Sequence, residues 1–321
     1  MSFSDNEVPA LELSGTKIEK FTAVPLFFDF NARPNIPFQL TSDIVVDSLK
    51  GRLSTNNFMV WDKFVAERTI EFFTQMDSAL VHRFYSSPGT GQKEEESKDR
   101  LHKIFVCLRM IRPTRTPFAV VQFKLKDDHQ PDVFSFIEAD DPVSLILPES
   151  EVLNHFNGND LVKLRDLLPK FFAVDSATDT EYVRRAIRYY ETGYSELHDP
   201  VLQFTVWMMG IESLFSGSEN VHEPLAVQNR IKDAIGSEDI YRDFADRDLY
   251  HAETVLVSDI VKDLFTMRNH LVHGGWVPNE WINRKMRDSI SGPAVNYADV
   301  LREAASFILR AGILKVVNER I

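Results

Sequence analysis

One helical segment in the second half of the chain has almost no polar face. Pro200 to Phe215 reads PVLQFTVWMMGIESLF, and Asp199 before it is suited to be the N-cap. Ser216 and Gly217 provide a stop. A helix that is apolar on nearly every side must be covered by other helices. The segment therefore predicts a helical bundle in which Pro200–Phe215 lies in the middle.

Other helical patterns surround this segment. One begins with Asn159 and Asp160 as candidate caps and runs to Phe172, although Pro169 should end or kink it. A second follows Thr180. The remaining three are predicted over Glu223–Ile235, about Glu253–His273, and Tyr297–Asn318. Residues 158–321 are therefore predicted to form an all-α bundle.

The first half of the chain has a different pattern, with short runs rich in Val, Ile, Phe and Thr. These runs predict strands over Phe21–Phe30, Phe38–Leu49, Phe118–Leu125 and Val133–Ile137. Helical spacing predicts helices over Trp61–Phe84 and Leu101–Met110, and Ser86–Arg100 is predicted to be an exposed loop. The fold class is therefore α+β, with a mixed α/β domain of unknown function over residues 1–157 before the helical bundle.

Composition excludes several classes of protein. The chain holds 36 basic and 48 acidic side chains, a formal net charge of −12. Constitutive binding along duplex DNA depends on excess Lys and Arg, so it is not expected. The sequence contains no run of about 18 uncharged apolar residues, so no membrane-spanning helix is predicted. The single cysteine, Cys107, and a first segment without a secretory signal favour a cytoplasmic protein.

The segment Met267 to Gly275, MRNHLVHGG, concentrates polar residues at the end of a helix. On a helical wheel with Leu264 at zero, the buried stripe lies within about 60° and Arg268 at about 40°, against that stripe. A guanidinium in such a place needs a partner or a polar cleft. His273 lies about 140° from Arg268, so the two converge only through the reach of Arg268, a loosened last turn, or a second copy of the helix.

Three interpretations of this segment remain open. Arg and His near a helix C-terminus complement the macrodipole and are common without any function. His270 and His273 are spaced to ligate a metal ion, but no third ligand is evident and no metal or cofactor is predicted. A catalytic or binding site is the third interpretation. Glu212, within the apolar helix, needs a partner, and Arg268 or Arg230 can supply it.

Residues 268–275 consist of an Arg, a polar residue, three spacers, a His and two glycines. This pattern resembles the R-x4-6-H motif of the HEPN superfamily. FTVWMMGIESLF at Phe204–Phe215 and HEPLAVQNRIKDAIG at His222–Gly236 are similar to two helices of its Apea-like branch, with Arg230 at that branch's usual Arg. The resemblance covers residues 178–321. The first half is similar to the region that precedes the helical domain in Apea-like proteins, to which no chemistry is assigned.

The resemblance implies a metal-independent endoribonuclease that acts as a homodimer on single-stranded or loop RNA, as in toxin and phage-defence systems. His273 would exchange protons and Arg268 would stabilise negative charge on the phosphate. Asn269 would orient the phosphate or His273. Glu212, Arg230 and His270 would support them. A non-catalytic nucleotide-binding or dimerisation module that regulates a partner is the alternative.

Overall fold

The structure of the protein is a computed structural model. It describes residues 18–26, 28, 34–48, 78–86, 91–113, 118–125, 131–138, 156–195, 199–217, 223–240, 255–273, 285–287 and 294–319. The protein is mixed α+β, as predicted. Its contacts divide it into two units, of which the first comprises Met1–Leu26, Ile36–His102 and Ala119–Ile137, and the second Phe27–Asn35, Lys103–Phe118 and Glu138–Ile321. The sequence pattern predicts a single boundary after residue 157.

The first unit contains a six-stranded sheet with the strand order β2-β3-β4-β1-β5-β6. Its strands are β1 (Ile18–Leu26), β2 (Phe38–Gln39), β3 (Ile44–Asp47), β4 (Ser78–Ser86), β5 (Ala119–Leu125) and β6 (Pro131–Glu138). β1 is antiparallel to β4 along its whole length and to β5 on its other side. All four predicted strand segments contain a strand. The alternating Val, Ile, Phe and Thr side chains account for this agreement.

The helix predicted over Trp61–Phe84 is wrong at its end, because Ser78–Ser86 is strand β4. Residues 61–77 lie outside the described residues. The five residues from Ser78 to His82 are all buried, so this part of β4 is covered on both faces. Such a strand shows a continuous apolar run instead of alternation, and periodicity alone does not separate it from a short helical segment.

The loop predicted over Ser86–Arg100 is wrong from Gln92 onward, because helix α1 spans Gln92–Ile111. Its first two turns are held by two i,i+3 ion pairs, Lys93 with Glu96 and Lys98 with Glu95. The buried residue of these turns is Ser97. The apolar periodicity begins only at Leu101, which is why the sequence predicted a helix from there.

Helix α2 (Gly158–Ser176) opens the main helical part of the second unit. Its N-cap is Asn157, whose side chain accepts from the backbone N–H of Asp160 in a capping box, so the predicted caps are displaced by two or three residues. Pro169 lies inside the helix and does not end it. Buried Phe171 and Val174 beyond the proline continue the apolar face, and their packing keeps the last turns helical.

Helices α3 (Glu181–Ser195) and α4 (Pro200–Ser216) pack together. Asp199 is the predicted N-cap of α4 and accepts from the backbone N–H groups of Val201 and Leu202. α4 ends at Gly217, whose φ of 64° lies in the region that favours glycine over other residues. Gly193 of α3 allows a close approach, since a Cβ there would lie 2.1 Å from the indole nitrogen of Trp207.

The second unit continues with α5 (Pro224–Ile235), α6 (Val257–Val272) and α7 (Tyr297–Glu319), near the predicted bounds. It also contains β7 (Lys285–Arg287) and β8 (Ala294–Asn296), an antiparallel pair that the all-α prediction missed. Strands of three residues leave too little alternation to be recognised in sequence. No helix in the described ranges is long and apolar enough to cross a membrane.

The core of the second unit holds two buried arginines that no sequence pattern indicated. Arg109 forms an ion pair with Glu191 of α3, and its guanidinium lies 4.8 Å from the ring centroid of Phe105. Arg310 of α7 donates to the backbone carbonyl of Met110 over 3.0 Å. Both guanidiniums are nearly inaccessible to water, so these contacts are structural.

Candidate functional site

Helix α6 places Arg268 at the edge of its buried face. Val257, Ile260, Leu264 and Met267 are buried, as the helical wheel predicts, whereas Leu271 of the same predicted stripe is half-buried. The Arg268 side chain is 31% exposed, between the core and the solvent-facing side. A charged residue therefore lies beside the apolar stripe with part of its guanidinium accessible.

Glu212 of α4 holds this guanidinium. One carboxylate oxygen accepts from Nη2 of Arg268 at 3.3 Å, and the other lies 3.1 Å from Nε in an ion pair. Glu212 is 31% exposed, so water screens the pair and its net contribution to stability is small. The sequence left Arg268 or Arg230 as the partner of Glu212. The structure brings Arg268 to it, with both carboxylate oxygens close to the guanidinium.

Arg230 of α5 lies at the end of α4. Its Nη1 donates to the backbone carbonyls of Phe215 at 3.3 Å and Ser216 at 3.0 Å. These carbonyls belong to the last turn of a helix, where partners within the helix are missing. Arg230 thus supports the helix that carries Glu212.

Asn269 lies next to Arg268 and is exposed. Its Oδ1 accepts from Nη1 of Arg268 at 3.3 Å, so the guanidinium has one carboxylate partner and one amide partner. Two edges of Arg268 are therefore engaged, and one N–H each of Nη1 and Nη2 has no hydrogen bond to the described residues.

His273 is the C-cap residue of α6, and its side chain is exposed. Its backbone N–H donates to the carbonyl of Asn269 at 3.1 Å, an ordinary helical bond, so the last turn is not loosened. Among the described residues no hydrogen bond joins Arg268 to His273, and the Arg268 guanidinium reaches Glu212 instead.

His270 is exposed one turn before His273. Within the described ranges, no group of three or more His, Cys, Asp or Glu side chains could hold a metal ion. Cys107 is buried, and burial raises the pKa of its thiol, as expected for a core residue and not for a nucleophile.

An exposed apolar face on α4 was missed by sequence reasoning. The prediction placed this helix in the middle of a bundle, and Phe204, Trp207 and Ile211 are indeed buried. However, Leu202 is 52% exposed and Met209 is 44% exposed, one heptad apart on the same side of the helix. The signal was present, because a helix that is apolar all round has more apolar surface than one bundle covers.

Met209 of this exposed face lies close to Glu212 along α4. Glu212 follows Met209 by three residues, about one helical turn. On the neighbouring helix, Val272 is 51% exposed and lies one turn beyond Arg268. We call Leu202, Met209 and Val272 the apolar rim of the site.

No family model, curated protein or solved structure matches this chain. The resemblance of residues 178–321 to HEPN domains therefore stays a prediction that rests on the motif residues and on their placement.

Proposed function

We propose that the protein is a metal-independent endoribonuclease of the HEPN type that cleaves single-stranded or loop RNA, as a cytoplasmic effector of a toxin or phage-defence system. The observation that supports this proposal is the placement of Arg268. Its guanidinium is partly exposed, is oriented by Glu212 and Asn269, and lies on the helix that ends at exposed His273.

The residue types suit cleavage by the neighbouring 2′-hydroxyl of RNA. His273 accepts the proton of the 2′-hydroxyl, whose oxygen attacks the adjacent phosphorus, and the bond to the 5′-oxygen breaks. A protonated histidine, such as His273 of the second copy, returns a proton to the leaving 5′-oxygen. Arg268 stabilises the negative charge that develops on the phosphate oxygens. The products are a 2′,3′-cyclic phosphate and a 5′-hydroxyl end.

The proposed enzyme is a homodimer through the helical unit. Arg268 and His273 of one chain are not joined by a hydrogen bond, so two copies of α6 would bring an arginine of one chain near a histidine of the other. The apolar rim supports this arrangement, because Leu202 and Met209 present an uncovered apolar stripe next to the site.

The first test is cleavage of labelled transfer RNA and of an unstructured oligoribonucleotide in the presence of EDTA. Wild-type protein should cut both and leave cyclic phosphate ends, whereas Arg268→Ala and His273→Ala should lose at least about 100-fold in rate. Arg165→Ala removes a half-exposed arginine of α2 and is the matched control. Equal cutting by all four proteins would reject the assignment, and cutting of a 2′-deoxy substrate would reject the mechanism.

The second test concerns the dimer. Sedimentation equilibrium at micromolar concentration should give two chains per particle, and Met209→Lys together with Leu202→Lys should give a folded monomer without nuclease activity. Val162→Lys, on an exposed apolar residue of α2, is the control. A wild-type monomer that still cuts RNA would contradict the paired arrangement.

The second candidate is a non-catalytic module that binds a nucleotide or dimerises to regulate a partner. The Glu212 contact favours it, because the carboxylate already occupies one edge of Arg268. This candidate predicts a wild-type dimer that does not cut RNA and whose nucleotide binding, measured by calorimetry with nucleoside mono- and triphosphates, is lost in Arg268→Ala.

A further inference from the structure

A row of buried polar side chains crosses the sheet of the first unit beneath α1. His82 of β4 lies opposite Thr22 of β1, and Thr22 lies opposite Gln122 of β5. His82 is 7% exposed, Thr22 is 0% exposed and Gln122 is 3% exposed. A sheet face covered by a helix is ordinarily apolar, so these groups must find hydrogen bonds inside the unit.

Helix α1 supplies partners from above the row. The hydroxyl of Ser97 lies 2.8 Å from Nδ1 of His82 and 2.7 Å from Oγ1 of Thr22, to which it donates. Gln122 donates to Thr22 at 3.3 Å and to the backbone carbonyl of Glu94 at 2.9 Å. Further along, Lys20 of β1 forms an ion pair with the Glu94 carboxylate.

The other ring nitrogen of His82 faces an ion pair at the edge of the unit. Nε2 lies 3.1 Å from Oδ2 of Asp43, in the turn between β2 and β3. Arg100 of α1 donates to both oxygens of this carboxylate, at 2.7 Å and 3.1 Å, and Thr41 donates to it at 2.8 Å. Asp43 is 31% exposed and Arg100 is 39% exposed, so water reaches this end of the network.

The network has hydrogen-bonding arrangements for both protonation states of His82. When the ring is neutral, Nε2–H donates to Asp43, the Ser97 hydroxyl turns away from Thr22 to donate to Nδ1, and the Thr22 hydroxyl donates to Ser97 in its place. When Nδ1 takes up a proton from solvent, it donates to Ser97, and the Ser97 hydroxyl turns to donate to Thr22. One proton enters, and no heavy atom has to move to complete the bonds.

We infer that His82 is a proton-sensitive switch that couples the turn at Asp43, the sheet and the first half of α1. The switch is independent of the Arg268 site and goes beyond the proposed ribonuclease activity. Its geometry is a buried imidazole between a hydroxyl that can reverse its role and a carboxylate already held by an arginine. Protonation places a charge in the row, attracted by Asp43 and repelled by Arg100.

The sign of the effect follows from these surroundings. Burial, and then repulsion by Arg100, lower the pKa of His82 below its ordinary 6.5, although the Asp43 hydrogen bond and charge oppose this. Below pH 6.5 the unfolded chain therefore binds more protons than the folded unit, and the contribution of His82 to stability is lost as the pH falls. The pKa of Asp43 is also lowered, below 3.8, so its contribution is lost in a separate and more acidic range.

The experiment is an NMR titration of imidazole signals in the full chain. His82 is assigned by comparison with His82→Gln, which keeps a donor and an acceptor but does not titrate. The titration midpoint of His82 should lie below pH 6.5. When the pH is lowered from 7.5 to 5.5, the melting temperature should fall more in the wild type than in His82→Gln. The control His270→Gln should behave as the wild type.

Two further variants keep the inference testable if His82→Gln does not fold. Arg100→Gln should raise the His82 midpoint, because it removes the opposing charge, and Asp43→Asn should lower it. Shifts in these opposite directions are not expected from a general loosening of the unit. A His82 titration midpoint at or above pH 6.5 in the wild type would overturn the inference. Shifts of this midpoint in the same direction in both variants would also overturn it.

Discussion

Two arginine–glutamate pairs in the helical unit have the same chemistry and different surroundings. In the Arg109–Glu191 pair the side chains are 1% and 10% exposed, whereas in the Arg268–Glu212 pair both are 31% exposed. A buried pair has lost its hydration and cannot be broken without leaving an uncompensated charge. A half-exposed pair is screened by water and can exchange partners. Burial therefore separates a structural ion pair from one that is available to a ligand.

The largest expected effect comes from breaking the buried pair. Glu191→Ala leaves the Arg109 guanidinium in the core without its carboxylate and should lower the free energy of unfolding by about 3–5 kcal/mol. Urea unfolding followed by circular dichroism measures the change. Glu181→Ala, on the same helix but 56% exposed beside Arg184, is the matched control and should leave the free energy of unfolding nearly unchanged.

A double replacement sharpens this result. Arg109→Met combined with Glu191→Leu removes both charges and should recover most of the stability lost in Glu191→Ala, since a packed apolar pair avoids the desolvation penalty. Equal losses in the single and double variants would mean that the charges themselves are not the source of the effect.

A smaller effect is expected where α3 and α4 approach each other. Gly193→Ala places a methyl group against the buried indole of Trp207 and should lower the free energy of unfolding by about 1–3 kcal/mol. Thermal or urea unfolding measures the change. Gly158→Ala, at the start of α2, meets only an ordinary contact at 3.5 Å and is the control. If both substitutions have the same effect, α3 and α4 have room to separate at this contact, and the close approach at Gly193 is not required.

The smallest effect on stability is expected at the half-exposed pair. Arg268→Ala and Glu212→Gln should each change the free energy of unfolding by about 1 kcal/mol or less, because solvent screens the charges. RNA cleavage by Arg268→Ala should nevertheless be lost under the proposed function. A loss of stability as large as that of Glu191→Ala would contradict the comparison and make Arg268 a structural residue.

Much of the fold could be predicted from local patterns. The N-cap at Asp199, the glycine stop at Gly217 and the buried stripe of α6 follow from residue types and helical spacing, and the structure confirms them. Strand β4 could not be predicted, because burial of both faces removes the alternation that identifies strands. The first turns of α1 were missed for a related reason, since their inward residue Ser97 is polar.

The candidate site was predicted in part. The wheel placed Arg268 beside the core, and the apolar surroundings of Glu212 indicated that it needed a cation. The choice between Arg268 and Arg230 depended on which of them α4, α5 and α6 bring to the carboxylate, and no local pattern contains that information. The apolar rim was missed because sequence shows how apolar a helix is and not which sides its neighbours leave uncovered.

The sequence by itself determined the periodicity, the caps and the identity of the charged residues at the end of α6, because these depend on chemistry within a few residues along the chain. Only the tertiary structure decided which arginine meets Glu212, which ion pair is buried, and how His82, Ser97, Asp43 and Arg100 come together. These are contacts between residues far apart in sequence, and their strength depends on the water that packing excludes.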